Sequence, residues 1–133
     1  MSVHDEARGA NQTQRFALLE HTTRDGVHWD LLIQAPGQER LLTWRLAVSP
    51  IDAGPDGVPA HRIGDHRALY LDFEGELTGG RGSVRRLDGG MAAWLTGSSG
   101  TGDCRMRLAG KRLRGDFEIT RLAGGERFRP VAE

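Results

Sequence analysis

Cysteine is almost missing: Cys104 is alone in 133 residues. A single thiol excludes an internal disulfide and a thiolate metal cluster, so a reducing cytoplasm is the expected compartment. No apolar run approaches the ~18 residues that a membrane helix needs. Residues 1–14 are polar, without the apolar stretch of a secretory signal, and no membrane partner is expected. Net charge is absent as well, with eighteen basic residues against eighteen acidic ones. No overall field draws the molecule onto nucleic acid, and such a role requires a local patch. Lysine is nearly lacking too, since Lys111 stands beside seventeen arginines. The guanidinium fork suits paired bonds to phosphate oxygens, although a GC-rich genome enriches arginine equally.

What is abundant is glycine, nineteen residues in all. Each would destabilise a helix interior by about 1 kcal/mol, which argues for short strands and turns. Strands are expected at 15–20, 28–34, 39–47, 67–76, 82–87, 91–95, 103–108 and 115–122. Cys104, Met106 and Leu108 alternate with Arg105 and Arg107, and Phe117 and Ile119 alternate with Asp116, Glu118 and Thr120, the period of a half-buried strand. The expected fold is mainly β: a closed or nearly closed barrel of about eight short strands, with room for one short helix. Residues 1–14 read as a mobile lead-in, 15–123 as the single domain, and 124–133 as a polar tail. The Pro- and Gly-rich stretch 49–60 reads as a loop. The Gly/Ser run at 97–102 lacks the following helix and lysine of a phosphate-cradling loop, and reads as a hairpin connection.

The chemistry-bearing segment is 20–33, Glu-His-Thr-Thr-Arg-Asp-Gly-Val-His-Trp-Asp-Leu-Leu-Ile. On a strand His28, Asp30 and Leu32 share one face, and Leu31 and Ile33 take the core face. An imidazole and a carboxylate two residues apart can hold a divalent cation, with His21 closing the set across a seven-residue turn. Two histidines and one carboxylate leave positions open for water and substrate. The plainer reading pairs His28 with Asp30 on a sheet surface and leaves His21 in a loop. Further on, 65–75 reads Asp-His-Arg-Ala-Leu-Tyr-Leu-Asp-Phe-Glu-Gly. As a strand it puts Leu69, Leu71 and Phe73 on one face and His66 with Tyr70 on the other, where they can grip phosphate oxygens. His4 falls in the lead-in and His61 in a loop, and neither is expected to act.

These residues resemble the 3′-phosphoesterase domain of bacterial ATP-dependent DNA ligase D, which also occurs as free-standing small proteins. The pattern His, turn, His-Tyr/Trp-Asp-Leu is met by His21 and His28-Trp29-Asp30-Leu31, and Leu-x-x-Trp by Leu41 to Trp44. Asp-His-x-x-x-Tyr-x-Asp-Phe-Glu-Gly is met by Asp65-His66 and Tyr70 to Gly75. Leu-x-Gly-Lys-Arg-Leu-x-Gly is met by Leu108 to Gly115. The resemblance implies a barrel with a manganese-dependent site that trims DNA or RNA 3′ ends, working beside separate ligase or polymerase repair proteins. It implies metal ligands at His21, His28 and Asp30, and phosphate contacts at His66 and Tyr70. Nitrogen-rich ligands also suit zinc or another divalent cation.

The chain departs from that pattern at its arginines. A family arginine two residues after the motif aspartate falls on Leu32, and another falls on Val58. The glycine-rich loop at Gly79-Gly80-Arg81-Gly82 is shorter. Arg45, Arg62 and Arg67 are the candidate substitutes for phosphate binding. Two other readings stand beside this one: a non-haem iron oxygenase with His66 as third ligand in place of His21, and a binding module that kept the metal but lost catalysis.

Overall fold

The computed structural model describes residues 14–98 and 100–131. Its strands are β1 (Gln14–Thr23), β2 (Gly26–Gln34), β3 (Arg40–Leu46), β4 (Val58–Arg67), β5 (Gly75–Glu76), β6 (Ser83–Thr96), β7 (Cys104–Ala109), β8 (Arg114–Leu122) and β9 (Gly125–Pro130). All but β5 close into an antiparallel barrel. Round the barrel the order is β1-β2-β3-β4-β9-β8-β7-β6, and β6 pairs back to β1. The two-residue β5 is added outside the ring on β6. Closure removes the open edges on which another chain could pair.

Alternation on the strands sorts side chains into two apolar clusters. Phe16, Leu18, Leu31, Ile33, Leu42, Trp44, Met106, Ile119 and Phe128 belong to the larger one, which draws on all eight barrel strands and fills the interior. The residues between them on β1, β2 and β3 face outward. Ala17, Leu19, Leu32 and Leu41 form the smaller cluster there, and Leu71, Tyr70, Phe73 and Leu77 from the segment after β4 lie over it. That segment turns one patch of the barrel's outer wall into a second interior.

Several sequence expectations give way here. Residues 67–76 are not one strand: Arg67 ends β4, Ala68–Leu71 is a 3-10 turn with Leu69 exposed and Leu71 buried, and only Gly75–Glu76 is again extended, as β5. The alternation of residues 68–71 has no neighbouring strand to pair with, and Leu71 is buried on the outer patch instead. Residues 82–87 and 91–95 are one strand, β6, with a bulge against Leu18/Leu19 that interrupts its apolar period. Residues 58–60, expected in a loop, open β4 and pair with β9. The stretch 124–133, expected as a tail, contains β9, whose Phe128 enters the core. The expected lead-in lies outside the described residues except for Gln14, which opens β1. The run at 97–102 does join two hairpin strands, β6 and β7. No helix among the described residues is long and apolar enough to cross a membrane.

Candidate metal centre and phosphate cavity

A tight hairpin builds the centre. β1 runs to Thr23 and β2 starts at Gly26, so only Arg24 and Asp25 connect them. The Thr23 hydroxyl accepts from the Asp25 amide at 3.1 Å, and Gly26 takes φ 133°, which L side chains rarely adopt. The expected seven-residue turn is therefore mostly strand. Its register sets His21 directly opposite His28 and Leu19 opposite Asp30, while Asp30 faces Arg45 on β3. Pleat and register together put His21, His28, Asp30 and Arg45 on the outer wall, next to the covered apolar patch.

One ligand atom from each of His21, His28 and Asp30 lies within 4.8 Å of the other two. His21 Nδ1 is 3.1 Å from His28 Nε2, and His28 Nε2 is 3.6 Å from Asp30 Oδ2. A tetrahedral cation with bonds of about 2.0–2.2 Å spaces its donors roughly 3.3–3.6 Å apart, close to these two separations, with the third pair inside 4.8 Å. The tautomer suits it as well. His21 Nε2 lies 2.8 Å from the Arg81 carbonyl, which only accepts, so that nitrogen carries the hydrogen and Nδ1 keeps its lone pair. At 3.1 Å the two ring nitrogens are within hydrogen-bond distance, so His28 Nε2–H can donate to the His21 Nδ1 lone pair, or a cation can take the place of that proton. Burial holds His28 below the ordinary imidazole range, and the charge of Arg45 acts the same way against the opposing pull of Asp30. The neutral, metal-binding form is thereby favoured.

Asp30 is 4% exposed yet weakly satisfied. Besides His28, its partner is Arg45, whose Nε reaches Oδ1 at 3.3 Å. The carboxylate opens on a cavity of about 360 Å³, walled by His21, Arg45, Asp65, His66, Arg67, Tyr70 and Arg81, with Leu19, Leu77 and Val84 as its apolar part. His66 and Tyr70 meet edge to face at 5.6 Å between ring centroids. They do so from the end of β4 and the following 3-10 turn, and not from one strand face as expected. His66 Nδ1 is 3.1 Å from the Gly64 carbonyl and 3.2 Å from the Thr43 hydroxyl, which itself donates to the Leu41 carbonyl. Both neighbours accept, so Nδ1 carries the hydrogen and Nε2 is the atom left for a substrate.

The arginines divide. Arg45 and Arg67 are on the cavity wall. Arg62 is not: its guanidinium lies 5.3 Å from the Trp44 ring centroid and bonds the carbonyls of Gly100 and Thr43 and the Asp65 carboxylate. It staples the β6–β7 connection to the barrel, which removes it from the phosphate candidates. Arg81, on the wall beside His21, was missed by sequence reasoning, and only its place in the glycine-rich loop hinted at it. Asp65 and Thr43 were missed too. Asp65 is ion-paired to Arg40 and Arg62, and although burial pushes its carboxyl up, those two arginines hold it below the usual range. Three guanidiniums thus face two carboxylates on the wall, and Asp65 is already neutralised by Arg62 and Arg40. The wall therefore carries an excess of positive charge, the electrostatic condition for an anionic ligand.

Residues 19–121 match the DNA ligase D 3′-phosphoesterase domain family, from β1 to the end of β8. The chain belongs to that family. No curated protein matches it. Membership makes this a 3′-phosphoesterase-type domain, and it sharpens the meaning of the two missing arginines. Leu32 is fully buried in the smaller cluster and Val58 is 4% exposed in the barrel. Neither position is open to the cavity. The phosphoesterase motif around Gly110 serves the fold. There Asp88 accepts from the amides of Lys111, Arg112 and Leu113 at 2.9, 3.0 and 2.7 Å. A Cβ on Gly110 would collide with Asp88 and Phe16, which explains glycine there. The oxygenase alternative needs His66 as third ligand in place of His21, but the ligand atoms that lie together among the described residues are those of His21, His28 and Asp30.

Proposed function

We propose that this domain is a divalent-metal-dependent phosphoesterase that clears blocked 3′ ends of DNA or RNA during repair. The observation that carries this reading is the grouping of His21, His28 and Asp30, of which His21 and Asp30 line a cavity that Arg45, Arg67 and Arg81 also line. His21 Nδ1, His28 Nε2 and Asp30 Oδ2 would hold the cation. Manganese is the family-based choice, and zinc fits the nitrogen donors equally. A cation so placed supplies Lewis-acid polarisation of a phosphoryl oxygen.

The chain's own residues do the rest. Arg45 stays on Asp30 Oδ1 and leaves Oδ2 free for the cation. Tyr70 donates its O–H to a phosphate oxygen. His66, with Nδ1–H held by Gly64, carries its exchangeable proton at Nε2. Protonated, it can donate that proton to the departing oxygen; neutral, it can accept one from water. The apolar part of the wall, Leu19, Leu77 and Val84, limits water beside the reacting phosphate. A cytoplasmic location and separate ligase or polymerase partners complete the reading.

The test is a 3′-end-labelled primer–template carrying a 3′-phosphate or a terminal ribonucleotide, incubated with manganese. Wild type should remove the block and His28→Ala should not. If wild type binds manganese but leaves every 3′ block intact, the catalytic reading fails and a metal-dependent binding module replaces it.

A further inference from the structure

The loop between β5 and β6 carries chemistry beyond what the family pattern supplies. It leaves at Leu77, turns through Thr78–Gly80 and returns at Gly82, closed by the Leu77 amide donating to the Gly82 carbonyl at 2.8 Å. Gly79, Gly80 and Gly82 have φ of 74°, 70° and 93°, and a Cβ on Gly82 would collide with the Thr22 carbonyl. The path is therefore fixed against β1, one residue from His21. Arg81 sits at its tip with two ends in use. Its carbonyl accepts from His21 Nε2. Its guanidinium is braced by Nε donating to the Thr78 carbonyl at 2.8 Å and Nη2 to the Thr78 hydroxyl at 3.3 Å, and the residue is one of those lining the cavity. That bracing orients the fork and leaves Nη1 without a protein acceptor among the described residues.

We infer that Arg81 is the phosphate-binding arginine of this chain, supplying the charge that Leu32 cannot, and that its backbone at the same time positions His21. The inference rests on the phosphoesterase reading for its substrate class, the terminal phosphate of a 3′ end. Of the wall's other guanidiniums, Arg45 is engaged by Asp30. Arg67 lies beside His66 with no bracing partner among the described residues, so its fork would have to be ordered by the ligand itself, at an entropic penalty that Arg81 has largely met. A braced fork in the cavity that Asp30 and His21 also line would add a second positive partner for a phosphate dianion to the cation those ligands would hold, with His66 and Tyr70 lining the same cavity.

The experiment uses inorganic phosphate as probe on the manganese-loaded chain, alongside manganese titration and cleavage of a 3′-phosphorylated oligonucleotide. Arg81→Ala keeps the backbone carbonyl, so its manganese affinity should equal wild type, while phosphate affinity and kcat/KM fall roughly tenfold to a hundredfold. Arg81→Lys should recover part of that loss. Gly82→Ala, which displaces the whole loop, should weaken manganese and phosphate together. Unchanged phosphate affinity in Arg81→Ala overturns the inference, as does a parallel loss of manganese affinity in that variant, which would make the side chain merely structural. If Arg67→Ala alone abolishes phosphate binding, the clamp is Arg67 and the inference fails. If wild type binds phosphate through Arg81 but cleaves no 3′ end, the catalytic reading falls and the Arg81 site stands. If wild type binds no phosphate, the Arg81 site is refuted.

Discussion

Asp30 and Asp88 are equally buried, at 4% and 5% exposure, and their surroundings are opposites. Asp88 accepts three backbone amides of the Lys111–Leu113 turn at 2.7 to 3.0 Å. Asp30 has two side-chain neighbours, at 3.3 and 3.6 Å, and faces a cavity. A buried carboxylate must be satisfied by something. At Asp88 the backbone does it completely, and the residue holds the barrel's β7–β8 connection. At Asp30 the protein does it in part, which leaves the carboxylate available to a cation. Burial alone says nothing of role; the number and quality of hydrogen-bond donors does.

Substitution should separate the two residues cleanly. Asp30→Ala is expected to abolish manganese binding in calorimetry and lower turnover on the order of 10³-fold, with a melting temperature at or above that of wild type. Asp88→Ala should do the reverse. It strands buried amides and is expected to destabilise by about 3 kcal/mol in denaturant titration, with manganese affinity retained wherever the chain stays folded. Equal loss of stability in both variants would dissolve the contrast.

Leu32→Arg tests the patch beside Asp30. Restoring the family's arginine at a fully buried position places a charge among Ala17, Leu19 and Leu41. It is expected to destabilise by about 3 kcal/mol, with no gain in turnover. Higher activity in a folded Leu32→Arg would mean that the cover over this patch opens readily.

Acid pH probes Asp88 together with the ion-paired carboxylates, and substitution isolates its share. Burial pushes its carboxyl up, but the amides of Leu113, Gly89, Lys111 and Arg112 outweigh burial and hold it below the usual carboxylate range. A depressed folded-state pKa adds stability that is complete above the unfolded value and is lost as pH falls through the folded one. The loss should therefore come below about pH 4, and Asp88→Asn should flatten that limb of the stability–pH curve. The smallest effect is expected at His61, which is exposed on β4 away from the cavity wall. His61→Ala should leave manganese affinity and cleavage unchanged, and a loss there would relocate the metal site.

The all-β class, the alternation of β7 and β8 and the pairing of His28 with Asp30 on one strand face were legible because each depends on neighbours along the chain. Side-chain direction on a strand follows from the two-residue period alone. The family motifs were legible for the same reason, as they preserve local order. What escaped was whatever depends on residues far apart in sequence. Ala68–Leu71 alternates like a strand, yet it has no partner strand and folds onto Leu32 and Leu41. The tail at 125–130 has modest β character, and its partners on β4 and β8 make it the strand that closes the barrel. Arg62 and Arg81 look alike in sequence. Trp44 and Gly100 claim the first, and the loop closed by Gly82 delivers the second to the cavity. The sequence by itself determined which residue types and strand faces could make a metal site. Only the tertiary structure decided that His21 meets His28 across a two-residue hairpin, that the site lies on the barrel's outer wall, and which arginines reach it, because register and closure are set by contacts between distant segments.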